Sequence, residues 1–299
     1  MKIIKKSLAI ILTVILAFSI YTEPTSVMTK AENNDQNELE NYVIITGSIE
    51  ADDGTGVVRW TKDKTYVICS YDIVEAPYVK CKLIIEPGTT ILFGTGTGGL
   101  DGVENSEVRR RPYSIFRVDE EGSIDAKGTK EEPITFKNIS THAGWNGIEI
   151  TLPESGEVTD TFEYCNFING GAQFRDFTEG LIDVSYGTEK TKFNLVVDHC
   201  TFDSTELINR DVLQPSEVQS GIYYGDHSGN TVQTNIKITN STFRSLSMAI
   251  ETCKQDEYNN ASKCIIENNV FENNMEGAYK SSVIWHGNAE VRNNTFYTT

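Results

Sequence analysis

Phe162-Glu-Tyr-Cys165-Asn-Phe167, Val197-Asp-His-Cys200-Thr-Phe202, Ile238-Thr-Asn-Ser241-Thr-Phe243, Ile266-Glu-Asn-Asn269-Val-Phe271 and Val291-Arg-Asn-Asn294-Thr-Phe296 are five copies of one phrase. Each runs from an apolar strand residue through a small polar turn to a Phe. The Phe residues lie 35, 41, 28 and 25 positions apart, so the spacing is irregular but returns to one full coil each time. Self-similarity on this scale marks a solenoid, whose units stack because none can bury its apolar face alone.

Side-chain directions follow from the phrase. The apolar residue five before the Phe points inward, and so does the Phe. The position two before the Phe sits at the bend and carries Cys165, Cys200, Ser241, Asn269 and Asn294. A small polar residue there can bond backbone groups freed by the bend and stack on its copies in adjacent coils. Asn269 and Asn294 therefore read as an internal turn ladder, and the glycosylation patterns at Asn240 and Asn293 as turn chemistry. The residue just before each Phe (Asn166, Thr201, Thr242, Val270, Thr295) faces outward. Such a Thr-rich row can order water or pack on another solenoid, but Thr is first of all a good strand former.

Upstream, Val43 to Ile45, Tyr66 to Ile68, Leu83 to Ile85, Thr90 to Phe93, Ile115 to Val118, Ser123 to Ala126 and Ile134 to Phe136 read as strands. Gly and Pro turns such as Glu86-Pro87-Gly88-Thr89 separate them. Gly94 to Arg111 is a Gly-rich, charged insertion, mobile by composition. No helical periodicity of useful length occurs.

Residues 1–31 carry a basic start (Lys2, Lys5, Lys6), an uncharged apolar run from Ser7 to Ile20 and a cleavage point after Ala31. They are read as a secretory signal peptide, the run being short for a bilayer span. Residues 32–41 form a polar, acidic lead-in, and 42–299 the solenoid. The formal charge is −17; setting aside Lys2, Lys5, Lys6, Lys30 and Glu23 takes 26 basic and 43 acidic residues to 22 and 42, a net of −20. That surface repels nucleic acid, whose binding needs a basic patch. It can gather calcium, although a solvated acidic coat is the plainer account.

Six Cys in an exported chain invite a disulfide reading, with fifteen pairings open. Cys165 and Cys200 should stack in successive coils about 4.8 Å apart, as small buried hydrophobes or as a bridge. Cys253 and Cys264 flank the excursion from Lys254 to Lys263 and could clamp its base. Cys69 and Cys81 fall on neighbouring strands and stay open.

The order Trp60, Tyr66 to Ile68, Leu83-Ile-Ile-Glu-Pro-Gly-Thr-Thr-Ile-Leu-Phe93, Gly122 to Thr129, Glu132 to Phe136 and Trp145-Asn-Gly-Ile-Glu-Ile150 carries a resemblance. It is similar to the right-handed parallel β-helix superfamily, the pectate-lyase-like fold, and looks like the N-terminal coils of secreted bacterial surface proteins with such repeats. The likeness covers nearly the whole chain after the leader. It implies an all-β, right-handed parallel β-helix of about seven coils, and a polysaccharide partner by analogy alone.

In that fold the strand opening each coil forms one long sheet where relatives bind sugars. Here those strands would be Gly147 to Ile150, Leu181 to Val184, Gly221 to Tyr224, Met248 to Glu251 and Val283 to His286. Alternation puts Ile148, Ile182, Ile222, Ile250 and Ile284 inside and leaves Glu149, Asp183, Tyr223, Glu251 and Trp285 outside. Trp and Tyr can stack on sugar faces, and acids can bond hydroxyls or hold Ca2+. Tyr223, Glu251 and Trp285 are the candidate ligand-binding residues. Glu149 and Asp183, one coil apart with carboxylates roughly 5 Å from each other, are the candidate catalytic pair, because about 5–5.5 Å suits a retaining glycosidase. The bland alternative is that outward positions on any sheet are polar.

A lyase also needs a base beside its acids, and the outward row so assigned holds no Arg or Lys. Arg210, Lys254 and Lys280 would have to lean in from flanking loops. His227 and His286 are isolated and read as turn or packing residues. No zinc spacing, nucleophile motif or phosphate loop occurs; no metal site is assigned, and no cofactor beyond possible calcium. The chain stops within a coil, at Phe296-Tyr-Thr-Thr299, without an amphipathic cap, which leaves a truncated chain or an assembling partner at that end. The expectation is a secreted or cell-surface protein that engages glycans without cleaving them, with polysaccharide lyase or glycoside hydrolase as the alternative. No membrane span remains once the leader is removed.

Overall fold

The computed structural model describes residues 41–51, 54–69, 76–94, 115–139, 145–170, 180–185, 187–206, 220–225, 232–252, 262–274, 283–284 and 288–297. Residues 1–40, all of the insertion after Gly94, and Arg210, His227, Cys253, Lys254, Lys280, Trp285 and His286 lie outside them.

Among the described residues, short apolar runs assemble into three all-parallel sheets. Sheet A has nine strands: β1 (Tyr42–Ile45), β3 (Thr65–Ile68), β6 (Thr90–Phe93), β9 (Ile134–Asn138), β12 (Cys165–Ile168), β15 (Thr201–Asp203), β18 (Thr242–Arg244), β21 (Val270–Glu272) and β24 (Thr295–Tyr297). Sheet B has seven: β4 (Tyr78–Val79), β7 (Ile115–Val118), β10 (Gly147–Thr151), β13 (Gly180–Ser185), β16 (Ser220–Gly225), β19 (Ile250–Thr252) and β22 (Val283–Ile284). Sheet C has eight: β2 (Val57–Trp60), β5 (Lys82–Ile85), β8 (Ser123–Lys127), β11 (Gly156–Glu163), β14 (Thr191–Asp198), β17 (Gln233–Thr239), β20 (Lys263–Glu267) and β23 (Ala289–Arg292). From β4 onward the chain visits B, C and A in turn, opening a coil at β4, β7, β10, β13, β16, β19 and β22. The protein is a parallel β-helix, the solenoid that the repeat predicts, and its described residues open seven such coils, against an expected count of about seven.

The core is a column. Phe136, Phe167, Phe202, Phe243 and Phe271 are buried and, with Phe296, stack face to face at centroid distances from 4.5 to 5.3 Å. Phe162, Val197, Ile238 and Ile266 line its sheet C side. Offset stacking adds about 0.5–1.5 kcal/mol per pair to what the buried area contributes. In the last coil the equivalent Val291 and Phe296 are each 53% exposed.

The corner between sheets C and A repeats with little variation. Tyr164, His199, Asn240, Asn268 and Asn293 hold φ between 48° and 58°, the left-handed region where Asn is tolerated best. The next side chain then turns inward. Ser241 Oγ accepts from the Cys200 N–H (3.0 Å), Asn269 Oδ1 from the Ser241 N–H (2.9 Å) and Asn294 Oδ1 from the Asn269 N–H (2.8 Å). This is the internal ladder expected from the phrase. Cys165 and Cys200 are buried thiols in it; Cys200 Sγ donates to the Phe162 carbonyl (3.2 Å) and Cys165 Sγ to that of Ala126 (3.6 Å). Cys69, Cys81 and Cys264 are buried thiols as well.

Sheet C changes width partway. β8 has five residues and β11 has eight, and β11 meets β8 only from Thr161 to Glu163 while pairing β14 along its whole length.

Candidate functional site

Parallel register on sheet B decides which side chains share a row. Glu149 pairs with Asp183, Asp183 with Tyr223, and Tyr223 with Glu251. Their inward neighbours Ile148, Ile182, Ile222 and Ile250 are all buried, so the row faces away from the core. Beyond Glu251 the register departs from expectation. Val283 stands level with Ile250 and Ile284 with Glu251, and Trp285 lies outside the described residues. The strand carrying Glu251 also begins at Ile250 rather than Met248.

In the other direction the row continues to residues not assigned to it from sequence. Arg117 pairs with Glu149, and Tyr78 with Arg117. The expectation that no Arg or Lys joins the row is therefore overturned. Ile115 to Val118 was legible as a strand. The missed signal was that its Phe116–Arg117 alternation repeats Ile148–Glu149 one coil earlier. Arg117 Nε stands 2.7 Å from Glu149 Oε2, Nη1 donates to the Tyr78 hydroxyl (2.6 Å), and the guanidinium carbon lies 5.4 Å from the Tyr78 ring centroid. Burial pushes the Glu149 carboxyl above its ordinary range, and Arg117 partly opposes the rise. At the far end, Ser220 Oγ donates to Glu251 Oε2 (2.8 Å).

The second correction concerns access. An outward row on a bare sheet would be open to solvent, but Asp183 is 5% exposed and Tyr223 4%. The Arg117 and Glu149 side chains keep 14% and 16% exposure, and Tyr78 is half-buried. The face is closed in its middle and partly open at the Tyr78–Arg117–Glu149 end. Chemically that end offers an aromatic ring, a fork of N–H donors and a carboxylate on three successive rungs, about 4.8 Å apart. Glu149 has Arg117 as its countercharge. Among the described residues, no three of His, Cys, Asp and Glu gather where they could hold a metal ion.

Gly147, which opens the strand bearing Glu149, holds a φ of 151°, and a Cβ there would meet the Gly180 carbonyl oxygen at 2.5 Å. The close approach of these two rungs thus depends on glycine.

Two other rows belong to the scaffold. The Thr row of sheet A runs further than the phrase suggests, through Thr65, Thr90, Thr135, Asn166, Thr201, Thr242, Val270 and Thr295. Beside it Arg244 bridges Asp203 (2.8 Å) and Glu272 (2.6 Å), tying three rungs together.

The chain matches no family model, no curated protein and no solved structure. Its class is set by the architecture alone, as a parallel β-helix with an Arg–acid–aromatic row on one sheet.

Proposed function

We propose that this is an exported β-helix protein, allied to the pectate-lyase-like class, which binds a polysaccharide or other surface polymer without cleaving it. The observation that carries the reading is the alignment of Tyr78, Arg117 and Glu149 on successive rungs, at the part of the sheet B row that solvent still reaches. A ring to stack on a sugar face, next to charged donors and acceptors for hydroxyls, is the composition of a glycan subsite. Export is inferred from the basic and apolar leader in residues 1–31.

The test is retention on a panel of immobilised neutral and acidic polysaccharides, comparing wild type with Tyr78→Ala and Arg117→Ala. Binding lost in both variants supports the site; binding unchanged in both removes it.

A second reading, cleavage through Glu149 and Asp183, is favoured by one specific point. The two are direct register partners, and burial raises the Glu149 carboxyl as a general acid requires. Reducing-end release by wild type, abolished in Glu149→Gln and Asp183→Asn, would make this an enzyme. No release from any polymer that binds leaves the first reading in place.

A further inference from the structure

Where β11 outgrows β8, the solenoid must close a step, and the side chain at the step is a carboxyl. Asp160 lies two residues before the inward-facing Phe162 and is fully buried. Its Oδ1 accepts the Ile124 N–H at 2.6 Å, in place of the backbone pairing that begins only at Thr161. Its Oδ2 is buried with no hydrogen-bond partner.

Among the described residues, the strands packed on it offer no countercharge. From β8 the inward side chains are Ile124 and Ala126; from β14 they are Thr191, Phe193, Leu195 and Val197; from β11 itself, Val158 and Phe162. The charged residues of those strands stand on the outer face: Asp125 and Lys127 on β8, Glu157 and Glu163 on β11, Lys192 and Asp198 on β14. An ionised carboxylate here would have one N–H and, among the described residues, no cation, whereas a neutral one fits an apolar interior at far lower cost.

We propose that Asp160 makes the β8–β11 step a proton-controlled joint of the solenoid, closed when the carboxyl is neutral and loosened when it ionises. Burial pushes this group up to about 7, against the partial pull of the Ile124 N–H. A raised carboxyl binds its proton more tightly folded than unfolded. Its stabilising effect is therefore present in acid and fades as pH rises toward the folded value. The coil concerned also carries Glu149, so loosening would reach the sheet B row through Leu152 to Ser155.

The experiment is urea unfolding of the full chain, wild type and Asp160→Asn, at steps from about pH 5 to about pH 8.5. Asn keeps the acceptor for Ile124 and removes the proton. The wild-type unfolding constant should rise by up to about tenfold per pH unit and level off above neutrality, while the variant lacks that rise. Every other residue is the same in the two proteins, so its contribution cancels in the difference. Equal pH slopes would overturn the proposal. Should the variant not fold, carboxyl-labelled aspartate in the wild type decides. One Asp carboxyl still protonated near pH 6 is expected, and full ionisation of every Asp there would overturn the joint.

Discussion

Arg117 and Glu149 are register partners on adjacent strands of sheet B, with Nε and Oε2 2.7 Å apart and both side chains mostly shielded from water. An ion pair placed so is worth little as a net stabiliser, because desolvation offsets attraction, yet breaking it from one side strands a charge. Arg117→Ala should therefore lower stability by about 1–3 kcal/mol, reduced from the fully buried case by the remaining exposure. Adding Glu149→Gln should return part of the loss. Urea midpoints of the two variants check this, and a double variant no more stable than Arg117→Ala would contradict it.

The same pair gives a pH signature. Burial raises the Glu149 carboxyl and Arg117 pulls it back. Since the folded value lies above the unfolded one, the group favours the folded state in acid and loses that contribution as pH rises. Without Arg117 the rise is unopposed, so Arg117→Ala should lose stability over a wider span than wild type as pH rises above the ordinary carboxylate range. Thermal midpoints at rising pH measure that span, and Glu149→Gln in the Arg117→Ala background should remove it.

Asn269 is buried in the corner ladder, where its side chain serves the Ser241 N–H (2.9 Å), the Ile238 carbonyl (2.9 Å) and Asn294 (3.1 Å). Asn269→Ala leaves a buried donor and a buried acceptor unmet, at about 1–3 kcal/mol each. Asn269→Ser should lose less, because Ser241 already fills the equivalent position one coil away. Equilibrium unfolding ranks the two; equal losses would show that the ladder bonds contribute nothing beyond packing.

Phe202 sits mid-column between Phe167 and Phe243, fully buried. Phe202→Ala should cost about 3–5 kcal/mol, the range for emptying a rigid core. Phe296→Ala, at a position 53% exposed, should cost a small fraction of that. Denaturant midpoints compare the two, and similar losses would mean the column is not the seat of stability.

Most strands were readable because their periodicity is local. Val43 to Ile45 and Leu83 to Ile85 are short apolar runs, Ile134 to Phe136 alternates, and they became β1, β5 and β9. The Phe phrase placed the C–A corner to within one residue, at the small inward side chain that follows the left-handed position. β4 was missed because Tyr78–Val79 is too short to show a period. Arg117 was missed for a different reason. Row membership depends on which strands are neighbours across 32 residues, from 117 to 149, and the five-copy phrase begins only after that coil. The shielding of Asp183 and Tyr223 was invisible because alternation tells which way a side chain points and not what the rest of the chain lays over it. Asp160 was hidden likewise, as an acid at an inward position that only the mismatch of β8 and β11 explains.

The unequal Phe spacings carry a mechanical meaning. Each coil holds only its neighbours, so a force applied along the axis would strip turns singly instead of breaking the molecule at once. A turn of 25 residues would release roughly 90 Å of chain and one of 41 roughly 140 Å, at about 3.5 Å per residue. Stretched from its two ends, the protein would therefore write its own repeat spacing as a series of rips of uneven length, and their order would report which end unravels first.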